Sequence, residues 1–377
     1  METNKLIPLE VLALLILAGC LLLMAAPLRD IPVTVTQPNG TKINCFASGD
    51  EYHDWLHDAD GFTIIRSEKT GFFSYAVKSR DTVVSSELIV GQVDPRSVGL
   101  EPGINISEVE YNRRRVETFP VPETRNAPST GSINNIVIYI RFNGESEFDE
   151  SIVTYDDWFN TGVSSQKNYF LEMVYGQLTV NTTRYPATQN NNVVSWQSPN
   201  PRNYYQPYNA SPNPNGHNCG TPRRTREHTL LLDAVNAVSA QIPADLSIDA
   251  DNDGYVDNVE FIGRGATDGW AELLWPHRWV LWTYNVSIRG NRVYDYNFQL
   301  QHFLASSNTG VICHEFYHTL SAPDLYRYYD TTITPLGPGD AMASNTNPPQ
   351  HMSAFMKWKY GGWISSIRVI RAFLNAE

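Results

Sequence analysis

The segment from Val311 to Asp324 reads Val-Ile-Cys-His314-Glu315-Phe-Tyr-His318-Thr-Leu-Ser-Ala-Pro-Asp324. It contains the pattern His-Glu-x-x-His, in which residues four apart lie on one face of a helix. Two imidazoles placed in this way can bind one zinc ion, and the glutamate between them can act as a general base. The segment therefore predicts a metal-binding helix with His314 and His318 as zinc ligands and Glu315 as the catalytic residue.

A catalytic zinc site needs a third protein ligand and an open fourth position. One known arrangement takes a glutamate from a later helix, but the only glutamate after Glu315 is Glu377, the last residue. The other arrangement takes a residue six positions after the second histidine, which is Asp324. Pro323 ends the helix and turns the chain back, so that the aspartate can face the metal. We expect Asp324 to complete the site, with His351 as the alternative.

Three further residues are candidates for supporting roles. Met342 lies in the run Gly339–Ala343 and is expected in a turn beneath the metal, although an ordinary core methionine would fit the same pattern. Tyr326 is a candidate for stabilising the oxyanion, with a packing role as the alternative. His277 lies in the aromatic stretch Trp270–Trp282, which is typical of a core or a pocket wall, and could contact substrate or an oxyanion.

A second metal-binding pattern runs from residue 249 to residue 260. Carboxylates occupy positions 1, 3, 5, 9 and 12 of a twelve-residue loop, with glycine at position 6, as in calcium-binding loops. The predicted ligands are Asp249, Asp251, Asp253, the main chain of Tyr255, Asp257 and Glu260. Because Val256 to Gly263 reads as a strand, we expect a structural calcium site and not an EF-hand sensor. An acidic turn between a helix and a strand is the alternative.

The first third of the chain reads as a small β-rich module. Alternating residues on either side of Asn39-Gly40, and again around Thr70-Gly71, predict two hairpins. Residues 49–57 between them are interpreted as a short helix. The triplet Arg113–Arg115 precedes a polar, proline-containing stretch, which is the best domain boundary in the chain. The triplet could be a protease target or simply a solvated part of a linker.

These patterns divide the chain into four parts. They are residues 1–28, a signal peptide or membrane anchor; 29–120, the β-rich module; 121–133, a linker; and 134–377, the domain with the metal-binding helix. Within the last part, Ile136–Phe142 predicts a buried strand, and Ser165–Val174 and Thr225–Gln241 predict helices. The chain is therefore expected to belong to the α+β class.

The apolar run from Val11 to Leu28 is typical of an export signal. Cleavage near Ala25 or Ala26 would release a soluble protein, lipidation of Cys20 would make a lipoprotein, and an uncleaved run would serve as a membrane anchor. Each of these outcomes places the chain outside the cytoplasm. We expect a secreted protein that touches a membrane only through this segment.

Composition excludes some classes of partner. The net charge is -12, which argues against a nucleic-acid partner, because the phosphate backbone binds basic surfaces. Three cysteines remain after Cys20, an odd number that cannot form a complete disulfide framework. Cys219 and Cys313 could pair, and Cys45 could bind zinc in a latent form, but buried thiols are the simpler interpretation. We expect a monomer.

The chain resembles the secreted metallopeptidases named after immune inhibitor A. The resemblance covers roughly residues 134–364 and rests on five runs: Cys313–His318, Ala322–Tyr326, Asp340–Ser344, Asp251–Asp257 and Trp275–Trp279. The arrangement from residue 30 onward is also similar to the leader module of bacterial members.

This resemblance implies a small β-rich pro-region that covers a zincin-type α/β catalytic domain, with the active-site helix beneath a twisted sheet. It implies a zymogen of a zinc endopeptidase that also binds calcium and acts on protein or peptide substrates. His314, His318 and Asp324 would bind zinc, and Glu315 would be the base.

Two departures from the family pattern leave alternatives open. The family has glycine where this chain has Ser321, and glycine would ease the turn that brings Asp324 to the metal. The chain also stops soon after Trp363, where relatives continue. The alternative function is therefore a truncated or inactive relative that acts as a calcium- or protein-binding module. A zinc hydrolase acting on non-peptide substrates is a further alternative.

Overall fold

The computed structural model describes residues 28–49, 53–67, 69–118, 127–208, 213–217, 221–265, 274, 276–307, 309–327 and 335–367. The protein combines an antiparallel six-stranded sheet near the N-terminus with a second, mixed sheet flanked by helices. The predicted α+β class is therefore confirmed. The N-terminal apolar run, Cys20, Cys219, Trp270, Trp275 and the end of the chain lie outside the described residues. No helix of the described part is both long and apolar enough to cross a membrane.

The first sheet is a meander in which each strand pairs with the next along the chain. Its strands are β1 (Leu28–Thr36), β2 (Lys42–Gly49), β3 (Asp54–His57), β4 (Thr63–Arg66), β5 (Phe73–Ser79) and β6 (Thr82–Ile89). Both predicted hairpins are present. Gly40 and Gly71 adopt positive φ angles in their turns, where a residue with a side chain would be strained.

The short helix predicted over residues 49–57 is wrong. Gly49 ends β2, and Asp54–His57 forms β3, which pairs antiparallel with β2. The pairing places Leu56 opposite Ala47, and both side chains are buried in the core of this sheet. Pairing with a neighbouring strand therefore decides the conformation of this segment.

The basic triplet lies on a helix and not in an extended linker. Helix α1 (Glu108–Thr118) contains Arg113–Arg115. Within it the Glu110 carboxylate accepts hydrogen bonds from Arg113 at 2.7 Å and from Arg114 at 3.0 Å. The hydrogen bond from Arg113 is the largest of the effects that lower the pKa of Glu110 to about 2. A protease would have to unwind this helix locally to cut at the triplet.

The second sheet has the strand order β11–β14–β10–β7–β8, with a short β9 also paired to β7. Its strands are β7 (Gly131–Arg141), β8 (Leu178–Tyr185), β9 (Trp196–Gln197), β10 (Val259–Gly263), β11 (His277–Val280) and β14 (Asp295–Leu300), and a separate hairpin is formed by β12 (Val286–Ile288) and β13 (Asn291–Val293). All neighbours in the sheet are parallel except β11, which runs antiparallel to β14. Strand β7 begins at Gly131, so the end of the predicted 121–133 linker belongs to this sheet.

Helices pack on both faces of the second sheet. The helices of this part of the chain are α2 (Ile152–Asp156), α3 (Gln166–Met173), α4 (Thr221–Val238), α5 (Gln301–Ser307), α6 (Thr309–Thr319) and α7 (Ala354–Met356), together with 3₁₀ turns at Arg202–Tyr205, Ser239–Gln241 and Gly337–Gly339 and π turns at Asp157–Thr161 and Lys357–Gly361. Ile138 of β7 belongs to the same buried cluster as Leu231 of α4. Its neighbour Val137 belongs to the opposite cluster, with Phe316 of α6. Because β7 is covered on both faces, it is apolar along its whole centre.

Helix α6 ends in a Schellman motif. The Ala322 N–H donates to Tyr317 O at 3.2 Å, and the Ser321 N–H donates to His318 O at 2.8 Å. This pair of hydrogen bonds requires a left-handed residue at the position after the helix, which is usually glycine. Ser321 has φ +70° and therefore carries a side chain in a conformation that suits glycine.

Replacing Ser321 with glycine should stabilise the protein. The left-handed conformation costs a residue with a Cβ atom about 1–2 kcal/mol, part of which is offset by the greater freedom of glycine in the unfolded chain. We expect Ser321→Gly to raise the free energy of unfolding by about 0.5–1 kcal/mol, measured by urea denaturation. Ser321→Ala is the control, because it keeps the Cβ atom. Equal stability of the glycine and alanine variants would contradict this account of the turn.

Candidate metal centre

Helix α6 brings the two predicted histidine ligands together. His314 and His318 lie one turn apart, with their Nε2 atoms 3.2 Å from each other. Their rings are nearly perpendicular, and His314 is almost completely buried. The helix is covered because its other faces pack into the core between the sheet and α3.

The other nitrogen of each ring is held by a main-chain oxygen. His314 Nδ1 lies 2.8 Å from Ala341 O, and His318 Nδ1 lies 2.7 Å from Ala322 O. A carbonyl oxygen can only accept, so each Nδ1 carries a proton, and each Nε2 is the ring nitrogen left to face a metal ion. Metal-binding histidines are oriented in the same way by such second hydrogen bonds.

Asp324 reaches the same point from the turn after the helix. Its Oδ1 atom lies 3.1 Å from His314 Nε2 and 3.3 Å from His318 Nε2. Burial alone would raise the pKa of Asp324, but the two imidazoles hold it well below its ordinary value. The carboxylate is therefore ionised and faces both ring nitrogens.

The three donor atoms have the spacing of a zinc site. A tetrahedral zinc ion at about 2.0–2.1 Å from its nitrogen and oxygen ligands keeps those ligands roughly 3.3 Å apart. The three separations here are 3.1, 3.2 and 3.3 Å. Two imidazole nitrogens and a carboxylate oxygen are also a donor set that suits zinc. The residues therefore fit the metal that the sequence predicts.

Glu315 projects from the same helix, between the two histidines in sequence. Glu315 is only 3% exposed. Burial raises the pKa of Glu315 above its ordinary value, while the nearby His314 and His318 lower it in part. A carboxylate with a raised pKa accepts a proton more readily near neutral pH, which suits a general base.

Met342 lies in a turn that supports the site through its main chain. The Met342 oxygen accepts a hydrogen bond from the Leu325 N–H at 2.8 Å, beside Asp324. The preceding residue, Ala341, supplies the oxygen that orients His314. Asp340 fixes the turn by accepting from the Met342 N–H at 2.8 Å and the Ser353 N–H at 2.6 Å. The Met342 side chain is completely buried in the core that contains α6.

The other candidate residues are not members of this three-residue group, although the imidazole of His277 helps to lower the pKa of Glu315. His277, in β11, bonds with Glu227 at 2.7 Å, and that carboxylate also accepts from Tyr296 at 2.6 Å. Tyr326 is buried just after Asp324. His351 is exposed and is not among the residues grouped with the two histidines. Within the described part of the chain, Asp324 and not His351 is therefore the third member of this group.

The described cysteines are not part of the metal centre. Cys45 and Cys313 are free buried thiols, so the pairing considered for Cys313 with Cys219 is absent. Cys45 lies in the core of the first sheet. Burial raises the pKa of its thiol to about 11, which opposes the thiolate form that zinc requires. Cys45 is not grouped with His314, His318 and Asp324 in this structure, and its role as a latent zinc ligand stays a prediction.

Three carboxylates of the predicted calcium loop lie together. Oxygen atoms of Asp249, Asp251 and Asp257 are all within 4.8 Å of one another. Asp249 also accepts the N–H groups of Asp253 and Gly254, both at 3.0 Å. Gly254 adopts φ +88°, as expected for the sharp turn at position 6 of such a loop.

The remaining residues of the loop differ in their placement. Asp253 is not part of the three-carboxylate group, and its carboxylate accepts the Tyr255 N–H at 2.8 Å. Glu260 lies in β10, where its side chain accepts from Asn135 at 3.2 Å. Burial raises the pKa of Glu260 to about 8, although its hydrogen bonds with Asn135 and Gln166 lower it in part. Glu260 thus belongs to the layer between the sheet and α6 and is not grouped with the calcium loop, because the strand carries it past the loop.

Sequence reasoning missed a buried polar layer beneath α6. Gln166 donates to Ile312 O in the helix at 3.3 Å, and Thr319 at the end of the helix donates towards Asn258 and Asn297. Asn135 joins the layer to Glu260. The sequence gives only a weak signal for this layer. Polar residues interrupt β7, β10 and β14, but no local pattern indicates that their side chains contact one another.

The chain matches no protein-family model, and no curated protein matches it.

Replacing Asp257 with asparagine should flatten the pH dependence of stability. Burial raises the pKa of Asp257 from an ordinary 3.8 to about 7, with nearby Asp251 and Asp249 adding to the effect. A folded-state pKa above the unfolded value means that this carboxyl's contribution is present at low pH and is lost as the pH rises towards 7. In EDTA, between pH 4 and pH 7.5, we expect the free energy of unfolding of wild type to fall by about 2–4 kcal/mol more than that of Asp257→Asn.

Urea denaturation at both pH values measures this difference. Asp245→Asn, at an exposed position near the loop, is the matched control and should behave as wild type. At pH 7.5 calcium should raise the free energy of unfolding of wild type, and should raise that of Asp257→Asn much less. The same pH slope for wild type and Asp257→Asn would contradict the prediction.

Proposed function

We propose that the protein is a secreted zinc endopeptidase made as a zymogen. The observation that supports this most directly is the triangle of His314 Nε2, His318 Nε2 and Asp324 Oδ1, with separations of 3.1–3.3 Å. Glu315 lies on the same helix as the two histidines. Its own carboxylate is buried and has a raised pKa. This combination is suited to hydrolysis assisted by a metal ion.

In this proposal the residues of α6 and its turn have separate tasks. His314, His318 and Asp324 would hold zinc, which when bound polarises the scissile carbonyl and makes water more acidic. Glu315 would take a proton from the attacking water at its carboxylate and return it to the leaving amine. The carbonyls of Ala341 and Ala322 would keep the two imidazoles in the tautomer that presents Nε2.

The identity of the substrate is proposed from the position of β11. This strand is at one end of the sheet order and contacts α6. All four of its residues are buried, so an extended peptide could add to this edge through main-chain hydrogen bonds only once the covering part of the chain has moved. We therefore favour peptide bonds over non-peptide substrates, in a zincin-type catalytic domain.

Burial of the site supports a latent form. Glu315 is 3% exposed and His314 is 1% exposed, whereas hydrolysis requires access for substrate. The β-rich module of residues 29–120 would be the pro-region, and opening at or after the helix carrying Arg113–Arg115 would activate the enzyme. The loop containing Asp249, Asp251 and Asp257 would bind a structural calcium ion.

The alternative of an inactive relative is disfavoured by the geometry of the turn. Serine replaces the glycine of the family at position 321, yet Asp324 still lies 3.1 Å from His314 Nε2. We therefore propose that the substitution costs stability and leaves the ligand set intact.

Replacing Glu315 with glutamine tests the mechanism. After activation by limited proteolysis, the variant should cleave casein roughly 100- to 10,000-fold more slowly than wild type, because it lacks the general base. It should still bind one zinc per chain, since the three ligands are unchanged. Glu172→Gln, at an exposed position of α3, is the control and should retain full activity. Undiminished proteolysis by the Glu315 variant would disprove the assigned role.

A further inference from the structure

The last residue of α6 forms a contact that the proposed mechanism does not use. Thr319 is completely buried, directly after the zinc ligand His318. Its hydroxyl lies 3.0 Å from Asn258 Oδ1 and 3.1 Å from Asn297 Oδ1. The hydroxyl has one proton, which it shares between these two amide oxygens. Thr319 therefore ties the metal-binding end of the helix to Asn297 of β14 and to Asn258, the residue directly before β10.

Asn258 connects this contact to the acidic loop. It is completely buried and directly follows Asp257, one of the three grouped carboxylates. Its Nδ2 donates to Asn135 Oδ1 at 2.7 Å, while its Oδ1 receives the proton of Thr319. Both ends of the amide are thus engaged, so the side chain has little freedom to move independently of its main chain.

The main chain of Asp257 is fixed by the same loop. Its N–H donates to Ile248 O at 2.9 Å, and its carboxylate accepts the Ala250 N–H at 3.1 Å. Three carboxylates within 4.8 Å of one another repel unless a cation lies among them. Binding of a divalent cation would therefore draw Asp257 towards its neighbours and set the position of Asn258.

We propose that Asn258 and Thr319 are positioning residues that couple divalent-cation binding in the Asp249–Asp257 loop to zinc binding at His314, His318 and Asp324. This inference rests on the proposed function and adds a form of regulation to it. The path has two steps: the cation fixes Asp257 and with it Asn258, and Asn258 holds Thr319 and the helix end that carries His318. In a calcium-rich environment the site would then bind zinc tightly, whereas in a calcium-poor environment its affinity for zinc would be low.

Coupling of this kind is reciprocal. If calcium tightens zinc binding by some factor, zinc must tighten calcium binding by the same factor. Typical couplings between sites amount to roughly 5- to 100-fold. The coupling is carried by one hydroxyl proton between Thr319 and Asn258, so removing that proton should uncouple the sites without removing a ligand of either metal.

The experiment measures the zinc dissociation constant of the full chain by competition with a zinc-selective fluorescent indicator, with and without saturating calcium. Thr319→Val keeps the shape of the side chain but lacks the hydroxyl, and Thr319→Ser keeps the hydroxyl. Thr309→Val is the matched control on the same helix. The Thr309 hydroxyl is buried and has no hydrogen-bond partner within the described residues.

We expect calcium to tighten zinc binding about 5- to 100-fold in wild type, Thr319→Ser and Thr309→Val, and less than twofold in Thr319→Val. The converse measurement, calcium affinity with and without zinc, should give the same factors. Asn258→Ala should abolish the coupling as well, and adding Thr319→Val to it should cause no further change. A calcium-induced rise in the melting temperature of every variant would establish that the loop still binds its cation.

Two results would overturn the inference. One is zinc affinity that does not depend on calcium in wild type although calcium raises the melting temperature. The other is a full calcium effect in Thr319→Val. In both cases zinc would still bind, so the proposed function would stand. Wild type that binds no zinc under any condition would instead overturn the proposed function itself.

Discussion

The turn after helix α6 is the constraint on which the proposed metal centre depends. The helix alone supplies two imidazoles, and a third donor must return to them within a few residues. The Schellman hydrogen bonds at Ser321 and Ala322 reverse the chain at the required point. They also place Ala322 O where it orients His318. One turn thus provides both the proposed third ligand, Asp324, and one of the hydrogen bonds that orient the histidines. Ser321 adopts a strained conformation to make this turn.

The second sheet and its polar layer hold that helix in place. A purely apolar interface would allow α6 to slide, whereas Gln166 and Thr319 attach its first half and its last residue to fixed groups. Buried polar contacts of this kind cost little when they are satisfied and penalise any displaced arrangement. Asp340 also holds the surroundings of the helix in place, because its carboxylate accepts hydrogen bonds from the N–H groups of Met342 and Ser353.

Local patterns in the sequence were sufficient to predict the centre of the site. His314, Glu315, His318 and Asp324 lie within eleven residues, so helical periodicity and the proline stop are enough to bring them together. Long-range contacts were not predictable in this way. Asn135 and Glu260 are brought together by parallel pairing of β7 and β10, and Asp54–His57 becomes part of a sheet because its partner strands lie elsewhere in the chain. Glu260 was placed in the calcium loop because spacing alone does not reveal that its strand has already begun.

The central claim is that His314, His318 and Asp324 bind one zinc ion. X-ray absorption at the zinc edge, on the full chain loaded with one equivalent of zinc, tests it most directly. The account predicts two imidazole nitrogens and carboxylate oxygen at about 2.0–2.1 Å, with no sulfur neighbour. A sulfur shell at about 2.3 Å, or a chain that retains far less than one zinc after dialysis, would contradict it.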